Sequence, residues 1–121
     1  MKKRILVIDD DPDLAILLNA KIEPESCEII PVYTGKEGLK KAKQEKPDLI
    51  VLDLMLPEMN GYKVCELLKN GPETKHIPVI MFTSREDDDE IKLGKEVGAD
   101  IYLTKTLESR ELIPAIKKLI G

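Results

Sequence analysis

At 121 residues, 42% of them hydrophobic, the chain has the size and composition of one globular domain, which we expect to cover residues 1–121. The net charge of −4 argues against a nucleic-acid-binding protein, which usually carries a basic stripe. No apolar run reaches the roughly 18 residues of a membrane span, and the run near the start is too short for a secretory signal, so we expect a cytoplasmic protein.

Short apolar runs alternate five times with segments whose apolar residues recur at helical spacing. The first strand is predicted over residues 5–8, and Pro12 suits the first turn of a helix that Pro24 ends. The second strand, over residues 29–32, contains Pro31, which favours a position at the edge of a sheet because proline cannot donate to a strand ladder.

The middle of the chain carries the clearest signals for strand and helix. Thr34 precedes Glu37 by three residues, which is the pattern of a capping box, and the helix it opens continues until Pro47. Residues 49–52 are wholly apolar, which is typical of a central strand covered on both faces. A third helix follows an Asn-Gly turn and ends at Gly71.

The last third predicts two more strands and two more helices. Residues 79–82 and 101–103 are the strands, and residues 86–97 form a helix whose apolar stripe is thin. Pro114 would cost about 3 kcal/mol in a helix interior. We therefore expect the last helix to begin near residue 110 or 111, with Pro114 close to its first turn.

This alternation predicts an α/β fold. We expect a flavodoxin-like three-layer α/β/α sandwich, in which a five-stranded parallel sheet of order 2-1-3-4-5 is flanked by five helices. In such a sheet ligands bind beyond the carboxyl ends of the strands. Several polar residues follow the predicted strands at that edge, namely Asp9, Asp10, Asp11, Asp53, Thr83 and Lys105, and Tyr102 lies within the last strand.

The acidic residues at this edge predict a cation site. The first and third strands are neighbours, about 4.8 Å apart, so Asp9, Asp10 and Asp53 cannot all stay ionised without compensation. A divalent cation removes the conflict, and an all-oxygen ligand set without Cys or His favours Mg²⁺. We interpret Asp11 and Asp13 as first-turn acids of the following helix instead.

A carboxylate beside Mg²⁺ can act as a nucleophile toward phosphorus and form an acyl phosphate. Such a transfer depends on positioning and on neutralisation of charge, which the ammonium of Lys105 and the hydroxyl of Thr83 could supply. Taken alone, Thr83 could equally cap the next helix, and Lys105 could be a solvated loop residue. Their joint occurrence after successive strands favours the functional interpretation.

Four segments together resemble the receiver domain of bacterial two-component response regulators: residues 5–11, 48–61, 79–84 and 98–105. The resemblance covers essentially the whole chain, and the motifs are specific because they occur in order and at the family's spacing. It implies partners of two kinds: a sensor histidine kinase or phosphotransfer protein, and a downstream output protein or fused output domain. It implies no direct contact with nucleic acid or membrane, and it allows a dimer that depends on phosphorylation.

The resemblance also implies individual roles. Asp53 accepts the phosphoryl group, and Lys105 and Thr83 bind its oxygens. Tyr102 turns inward as Thr83 moves, and the fourth helix, fifth strand and fifth helix form the surface that changes. The chain would be no enzyme toward other substrates, since it would catalyse only its own phosphorylation and dephosphorylation. The expected Mg²⁺ ligands are Asp9, acting largely through water, Asp10, Asp53 and the backbone carbonyl of Met55.

Three departures from the family pattern have consequences. Thr106 stands where proline usually follows the lysine, often through a cis bond, so the Lys105–Thr106 peptide could differ. Ser84 stands where alanine or another small residue is common, and its hydroxyl could compete for the phosphoryl group. Met55 and Arg85 occupy positions that tune dephosphorylation in the family, and an apolar and a cationic residue there predict a long-lived phosphoryl state.

Three other functions fit the sequence less well. An aspartate-nucleophile phosphohydrolase commonly has an aspartate two residues after the nucleophile, where this chain has Met55. A flavodoxin-like cofactor binder would need a phosphate loop after the first strand, where the acidic run would repel a phosphate. A degenerate receiver, which acts as an unphosphorylated interaction module, stays the main alternative, although all the key positions are intact.

Overall fold

The computed structural model of this protein describes residues 2–85, 87–105 and 110–120. Within these residues the strands are β1 (Lys3–Ile8), β2 (Cys27–Val32), β3 (Leu49–Leu52), β4 (Val79–Thr83) and β5 (Ile101–Thr104). They alternate with the helices α1 (Asp13–Lys21), α2 (Gly35–Glu45), α3 (Gly61–Asn70), α4 (Asp88–Glu96) and α5 (Leu112–Ile120). The strands form one parallel sheet of order β2-β1-β3-β4-β5, so the predicted α/β fold and strand order are confirmed.

The two faces of the sheet carry separate cores because successive residues of a strand point to opposite sides. Leu6 and Ile8 of β1 belong to one cluster, which also contains buried residues of α2 and α3. Ile5 and Val7 belong to the other, which contains buried residues of α1 and α5. The result is the expected three-layer sandwich.

Three predictions from local sequence patterns agree with the structure. The hydroxyl of Thr34 accepts a hydrogen bond from the Glu37 amide at 3.1 Å, so the predicted capping box is present. Pro31 pairs with Val7 from the edge strand β2, as expected. Pro114 is the third residue of α5, which agrees with its predicted place near the first turn.

Several boundaries differ from the prediction, and those of α1 and α4 illustrate the causes. α1 ends at Lys21, well before Pro24, because Ile22 already has extended dihedral angles. Pro12 occupies the N-cap position, one residue before the first turn, and its side chain makes no capping hydrogen bond. α4 begins at Asp88, since Asp87 is extended, and the predicted first residue Glu86 lies outside the described residues.

α4 is held to the domain by few buried side chains. Gly94 is its only buried residue within the span Asp88–Glu96, all of which is described, and Leu93 remains 40% exposed. Such an element has a low cost of local rearrangement because little apolar surface must leave the core. Among the described residues no helix is both long and apolar enough to cross a membrane.

Candidate functional site

The carboxyl edge of the sheet brings the predicted residues together because the strand ladder continues past each strand. The Asp53 amide donates to the carbonyl of Ile8 at 2.9 Å, which fixes the end of β3 beside the end of β1. The Lys105 amide donates to the carbonyl of Thr83, which fixes the end of β5 beside β4 in the same way. Residues that are distant in sequence therefore meet at one edge.

Three carboxylates form a compact cluster at this edge. One carboxylate oxygen from each of Asp9, Asp10 and Asp53 lies within 4.8 Å of the others. Asp9 and Asp53 are buried, at 2% and 7% exposure, whereas Asp10 is open to solvent. Negative charges that lie this close together and are largely shielded from water favour a bound cation. A set of ligands that consists only of oxygen atoms suits a hard ion such as Mg²⁺.

Backbone amides orient the two buried carboxylates. Oδ1 of Asp9 accepts a hydrogen bond from the amide of Asp11 at 2.9 Å, and Oδ1 of Asp53 accepts one from the amide of Met55 at 3.3 Å. Each acid thus has one oxygen held by its own loop and keeps Oδ2 for other partners. Asp13 lies in the first turn of α1, as predicted, and Asp11 lies before that helix begins.

Lys105 lies between the two buried acids. Its Nζ is 2.6 Å from Oδ2 of Asp9 and 3.2 Å from Oδ2 of Asp53. Burial opposes the charge on the ammonium, but the hydrogen bond to Asp9 and the charge of Asp53 outweigh burial and raise the pKa of Lys105. Lys105 is therefore no solvated loop residue, and its single positive charge only partly compensates the three carboxylates.

Thr83 is fully buried at the end of β4. Its hydroxyl oxygen accepts a hydrogen bond from the amide of Arg85 at 3.4 Å. Thr83 does not cap the next helix, because the residue before α4 is Asp87. Helix capping by Thr83 is thus excluded. Its side chain lies at the carboxyl edge of the sheet.

Tyr102 reaches the same loop from β5. Its hydroxyl donates to the carbonyl of Arg85 at 2.9 Å, while its ring lies against Gly94 of α4. Burial, followed by the charge of Glu90, raises the pKa of the Tyr102 hydroxyl. The backbone of Arg85 therefore connects Thr83 to Tyr102, a link that sequence reasoning missed because a main-chain group carries no sequence signal.

A cleft of about 210 Å³ opens beside the carboxylates. Leu14, Leu17 and Phe82 form its apolar wall, and Asp9, Asp11, Asp13 and Lys105 form its charged end, whereas Asp53 is not among its lining residues. A larger cleft, of about 870 Å³, lies against β1, β2 and α5 and contains none of the predicted site residues. The Lys105–Thr106 peptide was expected to differ from the family pattern because no proline follows the lysine. Thr106 lies outside the described residues, so this expectation stays a prediction.

The chain is similar to known proteins along its whole length. The model of the response regulator receiver domain matches residues 5–117. The chain is 40% identical over 120 residues to the alkaline phosphatase synthesis transcriptional regulatory protein PhoP of Bacillus subtilis (strain 168), a match that covers 99% of this chain and 49% of PhoP. It is 38% identical over 117 residues to the DNA-binding response regulator MtrA of Mycolicibacterium smegmatis, covering 97% of this chain and 50% of MtrA.

The fold comparison agrees. The signal receiver domain of a DNA binding response regulator protein from Colwellia psychrerythraea 34H superposes with a TM-score of 0.88 at 30% identity, and the match covers 98% of each chain. The chain therefore spans about half the length of the curated relatives named above and nearly all of this solved domain.

Proposed function

Since this chain belongs to the family of response regulator receiver domains, we propose that it accepts a phosphoryl group on the carboxylate of Asp53. The observation that carries the proposal is the position of this buried acid, which shares Lys105 with Asp9 inside a three-carboxylate cluster. A degenerate receiver has no need to hold these side chains together. The observed cluster therefore favours a phosphorylated domain over an unphosphorylated interaction module.

The transfer step follows from the orientation of Asp53. The amide of Met55 holds Oδ1, so Oδ2 is the nucleophile that attacks the phosphorus of a phosphohistidine. A P–O bond forms as the P–N bond breaks, and the imidazole nitrogen of the donor leaves with the bonding electron pair. Lys105 already touches Oδ2 at 3.2 Å, and its ammonium can move onto a phosphoryl oxygen as the negative charge of Asp53 is replaced.

The acidic cluster fits Mg²⁺. Asp9, Asp10 and Asp53, with the backbone carbonyl of Met55, would hold the ion, which supplies positive charge for the phosphoryl oxygens. Among the described side chains, the three carboxylates outnumber the single ammonium of Lys105, so a divalent cation would complete the charge compensation. The domain would thereby catalyse its own phosphorylation and dephosphorylation and act on no other substrate.

The phosphoryl donor needs a surface beside the cleft. Leu17 of α1 lines the cleft and is 37% exposed, and its neighbour Ile16 is 63% exposed. Apolar side chains exposed next to a reactive centre favour the docking of a partner. We propose that a sensor histidine kinase or a phosphotransfer protein contacts α1 while it presents its phosphohistidine to Asp53.

The response to phosphorylation would pass through Arg85. A phosphoryl group on Asp53 draws the hydroxyl of Thr83, whose oxygen accepts from the amide of Arg85. The carbonyl of Arg85 holds the Tyr102 hydroxyl, so movement of this loop changes both α4 and β5. The surface of α4, β5 and α5 would then bind a downstream output protein, a fused output domain or a second copy of the domain.

A phosphoryl mimic tests the proposal. Addition of Mg²⁺ with beryllofluoride to the wild-type chain should shift the amide resonances of residues 83–105, and Asp53→Ala should abolish the shifts. Asp13→Asn, which changes an acid outside the cluster, should respond like the wild type. Wild-type protein whose amides do not respond would establish the degenerate alternative.

A further inference from the structure

The ammonium of Lys105 lies over an aromatic ring as well as beside two acids. Its Nζ is 5.8 Å from the centroid of the Phe82 ring, in addition to its contacts with Asp9 and Asp53. A cation at this distance from the centre of an aromatic face is attracted by the negative charge that the ring carries on its faces. The side chain of Phe82 is therefore a third neighbour that restrains the charged end of Lys105.

The ring of Phe82 is held in place by its own surroundings. Phe82 is 3% exposed, and it pairs in register with Leu103 of the neighbouring strand β5. It belongs to the core cluster that also contains Leu14 of α1 and Ile116 of α5. Because side chains in a closely packed core occupy well-defined rotamers, the ring presents a fixed surface to the ammonium.

Lys105, by contrast, has a long and flexible side chain. Its backbone is fixed by the hydrogen bond from its amide to the carbonyl of Thr83, but a four-carbon stem separates this anchor from Nζ. The side chain is 29% exposed, so water can reach the ammonium from one side. Such a side chain loses much rotamer freedom when it is held in one geometry, and each fixed neighbour helps to offset that loss.

The restraint is important because the partners of Lys105 change during the proposed transfer. When the carboxylate of Asp53 bonds to phosphorus, its Oδ2 is no longer a charged acceptor, and its attraction for the ammonium weakens. The ring of Phe82 keeps its charge distribution and its position throughout. It therefore keeps the ammonium beside the reacting oxygen, 3.2 Å away, while a phosphoryl oxygen replaces the carboxylate as the acceptor.

We propose that Phe82 is a positioning residue for phosphoryl transfer, whose ring orients the ammonium of Lys105 toward Oδ2 of Asp53. This inference deepens the proposed function and rests on it. Phe82 acts through Lys105 and takes no part in the making or breaking of bonds. If Phe82 only filled the core, its loss would lower stability without a specific effect on the transfer.

The sequence offers a direct test, since Phe82 is the single phenylalanine of the chain. Expression with para-fluorophenylalanine or trifluorophenylalanine therefore changes this ring alone, nearly keeps its shape and withdraws negative charge from its faces. The reaction to follow is phosphorylation by phosphoramidate in the presence of Mg²⁺. In this reaction Oδ2 of Asp53 bonds to phosphorus, and the nitrogen leaves as ammonia with the bonding electron pair.

The rate constant should fall stepwise as the number of fluorine atoms on the ring increases. We expect a loss of about two- to five-fold for the trifluorinated ring, which is the range that a partly exposed cation–aromatic contact predicts. Equal rate constants for the three rings would overturn the inference.

A double-mutant cycle separates the orientation of Lys105 from the packing of the core. Phe82→Leu should slow phosphorylation at least as much as the trifluorinated ring does, but in a Lys105→Met background it should cause no further loss. Ile80→Val is the matched control, because Ile80 is a fully buried residue of β4 in the same core cluster. This control should lower stability and keep a rate constant within about two-fold of the wild type. An equal loss of rate in the control would show that Phe82 acts through packing alone.

Two further measurements need no phosphoryl donor. In protein labelled with para-fluorophenylalanine, Lys105→Met should shift the fluorine resonance of residue 82, whereas Lys40→Met, at an exposed position of α2, should not. Phe82→Leu should lower the urea midpoint less in the Lys105→Met background than in the wild type, because the two side chains stabilise each other. If the wild type takes up no phosphoryl group, the proposed function fails. An unmoved resonance together with additive urea losses would overturn the positioning role independently.

Discussion

Lys105 lies closer to Asp9 than to the proposed phosphoacceptor, with distances of 2.6 Å and 3.2 Å from Nζ to the respective carboxylate oxygens. Asp9 is almost completely buried, so it needs this positive charge more than an exposed acid would. Lys105 therefore stabilises the buried acids, in addition to the role in phosphoryl transfer that we propose for it. This dual role leads to the first prediction.

Lys105→Met should destabilise the domain by about 1–3 kcal/mol in buffer without divalent cations. The substitution leaves two buried carboxylates without their shared cation, although the partial exposure of Lys105 makes the loss smaller than for a fully buried pair. Urea denaturation measures the change, and added Mg²⁺ should restore most of the loss. Lys40→Met, at an exposed position of α2, should stay within about 0.5 kcal/mol of wild type.

Asp53→Asn should have the opposite effect on stability. It removes one of three crowded negative charges, so the free energy of unfolding should rise by about 1 kcal/mol without divalent cations. The same variant should gain less stability from Mg²⁺ than the wild type does, because one ligand charge is missing. Asp13→Asn, outside the cluster, should show neither effect, and a similar gain in that control would refute the explanation.

The thiol of Cys65 should make stability fall at alkaline pH. Burial, partly offset by Lys69 and aided by Asp100, raises the pKa of this thiol from its ordinary value of 9.0 to about 11. The folded protein binds the proton more tightly, so between pH 9 and 11 the free energy of unfolding should decrease, by about 2–3 kcal/mol from this group.

Chemical denaturation across this pH range, compared between wild type and Cys65→Ala, isolates the contribution. The variant should be less stable at neutral pH, because it leaves a small cavity, yet its stability should fall less steeply with pH. Parallel curves for the two proteins would show that Cys65 does not cause the alkaline loss.

Gly94→Ala should destabilise α4, although alanine normally favours a helix over glycine by about 1 kcal/mol. A β-carbon at this position would lie 2.6 Å from Cδ2 of Tyr102 and 3.2 Å from Sδ of Met81. The overlap should outweigh the helix preference and give a net loss of about 1–2 kcal/mol in denaturant titrations. In a Tyr102→Ala background the same substitution should become neutral or stabilising, and a persistent loss there would exclude the ring as the cause.

Phosphorylated protein should lose its phosphoryl group slowly, over minutes or longer. Hydrolysis needs a water molecule held in line with the phosphorus, and the side chain of Met55, which is 51% exposed at this edge, offers no hydrogen bond to such a water. Release of inorganic phosphate measures the lifetime, and Met55→Asn should shorten it. A wild-type half-life of seconds would contradict this prediction.

The sequence predicted the edge of the sheet that carries the site because each strand is a short apolar run with a polar residue at its end. The predicted first strand, residues 5–8, is shorter than β1, which begins at Lys3. The prediction began later because Arg4 is charged and does not belong to the apolar run. In the fold the guanidinium of Arg4 bonds to Glu45 and lies near Glu28, so a charged residue extends the strand beyond its apolar part.

Features that depend on three-dimensional packing were not predictable from one sequence. The contact between Tyr62 and Glu90 depends on how α3 and α4 are rotated toward each other. No sequence pattern around either residue predicts this contact. The unequal distances of Lys105 from its two acids depend on strand register and on loop conformation. Sequence patterns thus predicted which residues would meet at this edge, and their distances from one another required coordinates.

The ion pair between Lys105 and Asp9 joins residues 96 positions apart, one after the first strand and one after the last. During synthesis the aspartates at positions 9 and 53 emerge from the ribosome long before the lysine that neutralises them. A partly synthesised chain therefore cannot assemble the reactive pocket. Under the proposed function, a kinase would therefore meet the complete set of site residues only after the final strand has joined the sheet.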